Sequence, residues 1–267
     1  MVASDHLTNG DTTDPACHIN SCLTDLIEWM NASCLKVNPD KTELVLVRGP
    51  RASKISHDHP TGLELGGSKL VSSAKVRNLG VLIDAGLSFK QQISSVIKSA
   101  YFHLKNIARI QHLIPQDDMP TLIHAFVSSR LDYCNALYLG LQKKELHHLQ
   151  TVQNTAARLL TNQTRSCHIT PVLHSLHWLP IKWRTYFKIG LLTFKALNNQ
   201  GPQYLKELLT PYIPSRSLRS ANTSLLSVPR IRTNSGSRAF GHAAPTFWNS
   251  LPCAIREAPS LQTFKKS

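Results

Sequence analysis

The sequence predicts an α+β protein: a small partial sheet with one helix, then a mostly α-helical bundle, then an irregular basic tail. Three observations carry this. Between residues 17 and 88, short apolar runs are punctuated by Gly, Pro and Asp, as short strands are. From Phe89 to about residue 210, apolar residues recur at spacings of three and four, which is helical periodicity. From Pro211 that pattern dissolves into Ser, Arg, Pro, Asn and Gly. The implied divisions are a polar lead at 1–16, a sheet layer at 17–88, a helical part at 89–210 and a tail at 211–267.

Residues 1–16 are polar and aperiodic and read as loop. A helix is expected from His18, with Ile19, Leu23, Leu26, Ile27 and Met30 on one face, ending at Asn31 or Ser33. Leu44–Val47 follow a polar turn as an apolar strand that Arg48-Gly49-Pro50 stops. Residues 51–62 read as an exposed loop. Leu63 and Leu65, then Gly66-Gly67, then Lys69–Val71 make a hairpin signal. Val76–Ile83 reads as one strand, with Gly80 inside it marking a bulge or a close backbone approach. Asp84-Ala85-Gly86 turns the chain, and Ser88 stands at an N-cap position. Three or four strands and one helix make half a domain and leave a sheet face or edge that needs a partner.

The strongest helix is expected over Phe89–Ile114, where Phe89, Ile93, Val96, Ile97, Ala100, Tyr101, Leu104, Ile107 and Ala108 form an apolar stripe. Lys90, Lys98, Lys105 and Arg109 lie off that stripe, and Pro115 ends the helix. Further helices are expected at about Pro120–Tyr138, at Lys144–Leu160, from Thr170-Pro171, at Pro180–Leu197 and over two turns at Pro202–Leu209. In the tail, Ala244–Leu251 is the single apolar island, and Phe247 and Trp248 are expected to dock on the helical part.

Charge is uneven. Net charge is +14, but residues 1–70 hold six Lys/Arg against nine Asp/Glu, and residues 71–267 hold 24 against seven. A +17 excess on the helical part and tail favours nucleic acid or an acidic membrane surface, with a merely soluble basic surface as the plain alternative. No run approaches the roughly 20 apolar residues of a membrane span, so no membrane partner is expected. The start lacks a basic-then-apolar pattern, so an intracellular protein, in nucleus or cytoplasm and not secreted, is expected. The six cysteines are scattered without CxxC or zinc-finger spacing and read as free thiols.

Catalytic constellations are scarce. Asp117-Asp118 is the one Asp-Asp pair; it lies between prolines at a helix start, where capping and dipole complementation explain it. Asp5, Asp11 and Asp14 are isolated in the polar lead. His147-His148 point to different helix faces, and His174 and His177 lack a further ligand at suitable spacing, so no metal site is expected. GxSxG, Walker and GxGxxG motifs are absent.

Two segments carry a resemblance: Leu35-Lys36-Val37-Asn38-Pro39-Asp40-Lys41-Thr42-Glu43, and VRNLGVLIDAGLSF at Val76–Phe89. HSLHWLPIKWR at His174–Arg184 and APTFWNSLP at Ala244–Pro252 follow in order. Together, from about Cys22 to the C-terminus, the chain resembles the reverse transcriptases of non-LTR (LINE-like, jockey group) retrotransposons. The resemblance implies a partial palm at 17–88, a thumb-like domain at 89–210 and a family activity of RNA-directed DNA polymerase. It implies that Lys41 matches the motif D lysine, a general acid toward pyrophosphate, although without metals or a nucleotide site it has no substrate and a solvated turn lysine is the favoured reading. It places Leu79 and Gly80 at the primer grip, with a bulged core strand as the alternative.

The family's catalytic aspartates would lie just before the polar lead. The chain is therefore expected to be a truncated relic without polymerase activity, and Mg²⁺ is expected only for an intact member. The thumb likeness implies weak, sequence-independent binding of RNA or RNA–DNA duplex through Lys90, Lys98, Lys105, Arg109, Lys182, Arg184, Lys188 and Lys195. Tyr101 and Trp183 have the chemistry to stack bases but fall at apolar-face spacing, which predicts core. The alternatives are a structural helical protein-interaction fragment, and a subunit whose palm a second chain completes at the exposed half-sheet.

Overall fold

A computed structural model describes residues 15–47, 63–214 and 224–266. The lead at 1–14, the stop at Arg48–Pro50, the loop at 51–62 and part of the tail lie outside the described residues. The fold is mixed α+β, with two small antiparallel two-stranded sheets and a majority of helix, as the sequence predicts. The chain divides into two compact units, Met1–Phe89 and Lys90–Ser267.

In the first unit, helix α1 spans Pro15–Ala32. Ile19, Leu23, Leu26, Ile27 and Met30 share a face as expected, yet each is only half-buried. Strands β1 (Glu64–Leu65) and β2 (Ser68–Lys69) form the Gly66-Gly67 hairpin, and Asn20 Oδ1 of α1 accepts the Glu64 N–H at 3.1 Å. Leu44–Val47 does not form a strand. Leu44 makes one parallel bridge to Ser72 and its carbonyl accepts the Ser73 N–H at 2.7 Å, so the segment is pinned at one end only.

The single strand expected over Val76–Ile83 is instead a hairpin of β3 (Lys75–Asn78) and β4 (Val81–Asp84). Leu79 and Gly80 form its two-residue turn, both at positive φ (46° and 82°). That is the type I′ geometry whose twist matches paired strands, and Gly80 suits it because no Cβ opposes that backbone. The apolar run reads as one strand only because Leu79, 84% exposed at the tip, continues it without a break.

Around Ser88, the expected N-cap position, the Asp84 carboxylate takes the Ser88 N–H at 3.0 Å and the Phe89 N–H at 2.8 Å, while Leu87 and Phe89 adopt positive φ. Burial pushes the Asp84 pKa up, but the hydrogen bonds from Ser88 and Phe89 outweigh it and hold the carboxyl below its ordinary value. A depressed folded-state pKa means the stabilisation is fully present above the unfolded value of about 3.9 and is lost as pH falls through the lower folded value. Asp84→Asn is expected to cost about 1 kcal/mol at pH 7. Thermal unfolding followed from pH 7 down to about pH 2 should show the gap between variant and wild type closing; a gap constant with pH would count against this role.

The second unit opens with α2 (Lys90–Ile110), whose buried face is Gln92, Ile93, Val96, Ala100, Leu104 and Ile107. The helix expected at 120–138 is continuous only over 119–132, with one irregular turn inside it, and a 3-10 turn follows at Asn135–Tyr138. It runs as α3 (Met119–Ile123), a π-turn at His124–Ser128 and α4 (Ser129–Asp132), and Cys134 at φ 53° then ends it. Helix α5 (Lys143–Thr161) packs against both α2 and α7 (Ile181–Leu197), and α6 (Ile169–Ser175) covers α5. Gln150 Oε1 accepts the Ile181 N–H at 2.8 Å, which satisfies a first-turn donor of α7; buried Gln153 donates to the Leu179 carbonyl at 2.8 Å. Helix α8 (Gln203–Glu207) follows α7.

Within the tail read as irregular, the described residues form the α-helices α9 (Phe240–Ser250), α10 (Cys253–Arg256) and α11 (Leu261–Lys266). Ala243, Ala244, Trp248 and Phe264 join Ile189, Phe194 and Ala196 of α7 in one core. Trp248 and Phe247 dock on the helical part as expected, Phe247 lying 5.1 Å from the Tyr186 ring. A Cβ at Gly190 would come within 3.1 Å of Phe247 and 3.4 Å of Phe264, so a bare backbone on α7 lets both rings approach. The stretch before α9 is tied by Asn249, which accepts the Leu226 N–H at 2.9 Å and donates to its carbonyl at 2.8 Å.

Candidate nucleic-acid interface

Helix α2 carries no acidic side chain. Lys98, Lys105 and Arg109 stand at intervals of seven and four, so at 100° per residue they share one face, opposite the buried stripe, and all three are exposed. Lys90 is exposed but rotated off that face. Arg109 in the last turn also complements the helix dipole, whereas nothing in the packing requires the other two. A row of cations without interspersed carboxylates fits a repeated anion better than intrahelical ion pairing.

On α7, Arg184, Lys188 and Lys195 share a face by the same periodicity. Arg184 leaves the expected set of phosphate contacts. Its guanidinium pairs with Asp132 at 2.5 Å, donates through Nε to the Leu179 carbonyl at 3.1 Å, and is mostly covered. Lys188 is exposed and Lys195 half-buried. Lys182 is exposed, with its ammonium 4.8 Å from the Trp183 ring centre, a cation–π contact. Trp183 is 51% exposed and Tyr101 is exposed too, so the expectation that both are core is corrected. Neither lies among the buried residues of its helix.

The remaining expected residues belong to the other unit. Lys41 ends a short helical turn, Pro39–Lys41, capped by the Asn38 side chain, and is exposed. Leu79 and Gly80 sit at the tip of the β3–β4 hairpin rather than on a bulged strand. Asp117 and Asp118 are exposed; Asp118 occupies the N-cap position of α3 but makes no side-chain cap hydrogen bond. Neither is flanked by a strand, so this pair does not fit the two-metal arrangement that nucleotide addition requires. Among the described residues no group of three His, Cys, Asp or Glu side chains is placed to hold a metal ion. Among them, too, no helix is long and apolar enough to cross a membrane.

Sequence reasoning missed a cluster beside the α2 face. The His103 ring stacks on Phe126 (5.2 Å, 21°) and meets Phe102 edge-on (5.3 Å, 83°). Arg130 donates to His103 Nε2 at 2.9 Å and to Ser99 Oγ at 2.9 Å. Since a guanidinium only donates, Nε2 is the acceptor and the imidazole is neutral. Burial, and then the Arg130 charge, lower its pKa below the ordinary value. Phe102 alone had a sequence signal: an aromatic on the polar face, four residues after Lys98 and three before Lys105.

Comparisons with protein-family models, with curated proteins and with solved structures give no match.

Proposed function

We propose that the helical unit binds the sugar–phosphate backbone of RNA or RNA–DNA duplex without reading sequence, and that the chain is a non-catalytic relative of non-LTR retrotransposon reverse transcriptases. The observation that carries the binding is the exposed, acid-free row of Lys98, Lys105 and Arg109 on α2. The +17 excess beyond residue 70 supplies the long-range attraction. The descent rests on the ordered motifs from Leu35 to Pro252. On this reading Lys41 is a solvated turn residue with no pyrophosphate to protonate. Localisation is intracellular, where RNA is available.

Fluorescence anisotropy across a salt series, with an RNA–DNA primer–template duplex and a single-stranded RNA, tests it. Affinity should fall steeply with salt, with a log–log slope of roughly −0.7 to −0.9 for each phosphate contact. Absence of binding to either probe at low salt would end this reading.

A second reading, a subunit whose sheet layer is completed by another chain, is supported by the half-buried apolar stripe of α1. Sedimentation of the purified protein as a monodisperse monomer that takes up no partner would remove it.

A further inference from the structure

Three apolar or aromatic surfaces stand out: the half-buried stripe of α1, the Trp183 surface beside Lys182, and the Phe102–His103–Phe126 cluster. The first has nothing that says what covers it. In the second, Trp183 already carries the Lys182 ammonium and Tyr186 lies 5.8 Å from its ring. The third combines an open ring with flanking cations.

Phe102 is 62% exposed and Phe126 41%. A lone exposed Phe is ordinary, but here the two exposed rings are joined through His103 into one aromatic surface. Its support is built rather than accidental. Phe126 lies in the π-turn at His124–Ser128, between fully buried Ile123 and Val127, so the turn is anchored on one side while Phe126 faces out. Such turns are rare and concentrate at functional sites. Arg130, bonded to both Ser99 and His103, fixes the imidazole against Phe126.

We propose that Phe102, set between Lys98 and Lys105 and backed by the His103–Phe126 stack, is a stacking platform for an unpaired base of single-stranded RNA. The inference rests on the reading of the α2 face as a phosphate-binding surface and adds what that surface prefers. Lys98 and Lys105 hold successive phosphates, and the base between them turns onto the Phe102 ring. Every base has a π-face, so the contact is indifferent to sequence and favours unpaired strands, whose bases are free to leave the stack. A duplex keeps its bases stacked and gains nothing from Phe102.

The test uses the full chain with a 12-nucleotide oligo(rA) and a 12-mer of equal charge whose bases have been removed. Phe102→Ala should weaken oligo(rA) binding about tenfold, within the range for one stacked base, and leave the abasic strand unchanged. Phe102→Trp should restore affinity, and oligo(rA), but not the abasic strand, should quench its emission beyond the quenching seen with the four native tryptophans of wild type. Because Phe102 is exposed, its truncation opens no cavity, and an unchanged melting curve checks this. If Phe102→Ala leaves oligo(rA) affinity unchanged, or weakens both strands equally, the stacking platform is overturned while backbone binding stands. If neither strand binds the wild-type protein, both readings fall. If an acidic peptide such as oligo-glutamate displaces oligo(rA) at equal charge in wild type and not in Phe102→Ala, the surface takes a protein segment and the proposal is overturned.

Discussion

Replacing Lys98, Lys105 and Arg109 together by glutamine is expected to weaken binding to an RNA–DNA duplex on the order of 100-fold near 0.1 M salt. The argument is counterion release. Each phosphate neutralised frees a condensed cation, and that gain scales with the logarithm of salt concentration. Three lost contacts should therefore flatten the log–log salt slope by roughly 2 to 3. The side chains are exposed and opposite the buried face of α2, so fold stability should hold to within about 0.5 kcal/mol. Arg184→Gln is the contrasting variant. Its guanidinium is engaged with Asp132 and the Leu179 carbonyl, so its loss should lower stability and leave the salt slope unchanged. Anisotropy titrations at several salt concentrations decide this. If the triple variant keeps the wild-type slope, the α2 face does not contact phosphate.

Trp248→Ala is expected to destabilise the second unit by about 3–5 kcal/mol, the range for removing a large buried aromatic. Trp248 is only 2% exposed, stacks on Phe264 with centroids 5.9 Å apart, and donates its indole N–H to the Ser224 carbonyl at 2.9 Å. Its truncation leaves a cavity between α7, α9 and α11 and strips a hydrogen bond from the chain segment before α9. Trp248→Phe keeps an aromatic ring but loses the hydrogen bond and part of the buried indole volume, so a cost of about 1–3 kcal/mol, below that of Trp248→Ala, is expected there. Urea unfolding monitored by circular dichroism gives both values. A loss below about 1 kcal/mol for Trp248→Ala would mean that the last helices contribute little to the core. Trp183→Ala, by contrast, removes a half-exposed ring and should cost less than either.

The sequence by itself determined where periodicity is strong. Ile93, Val96, Ala100, Leu104 and Ile107 of α2 are buried on the expected stripe because a 3.6-residue repeat leaves one face to bury, while Tyr101 and Ala108 of that stripe stay exposed, and Lys98, Lys105 and Arg109 face away from it. The Gly66-Gly67 hairpin was equally legible, since two glycines between alternating leucines leave few other backbones. Only tertiary structure decided the rest. The β3–β4 turn was hidden because its first central residue is Leu79, an apolar side chain in a conformation that usually signals itself through Asn, Asp or Gly. Helix α9 was hidden by Pro245 in its interior, which local propensity reads as a breaker; burial of Trp248, Ala244 and Pro245 itself against the core overrides that. Arg184 looked like its neighbours until Asp132, 52 residues earlier in the chain, was brought against it. The aromatic surface of Phe102, His103 and Phe126 joins residues of two elements through ring geometry, and one chain's residue order holds no record of such a contact.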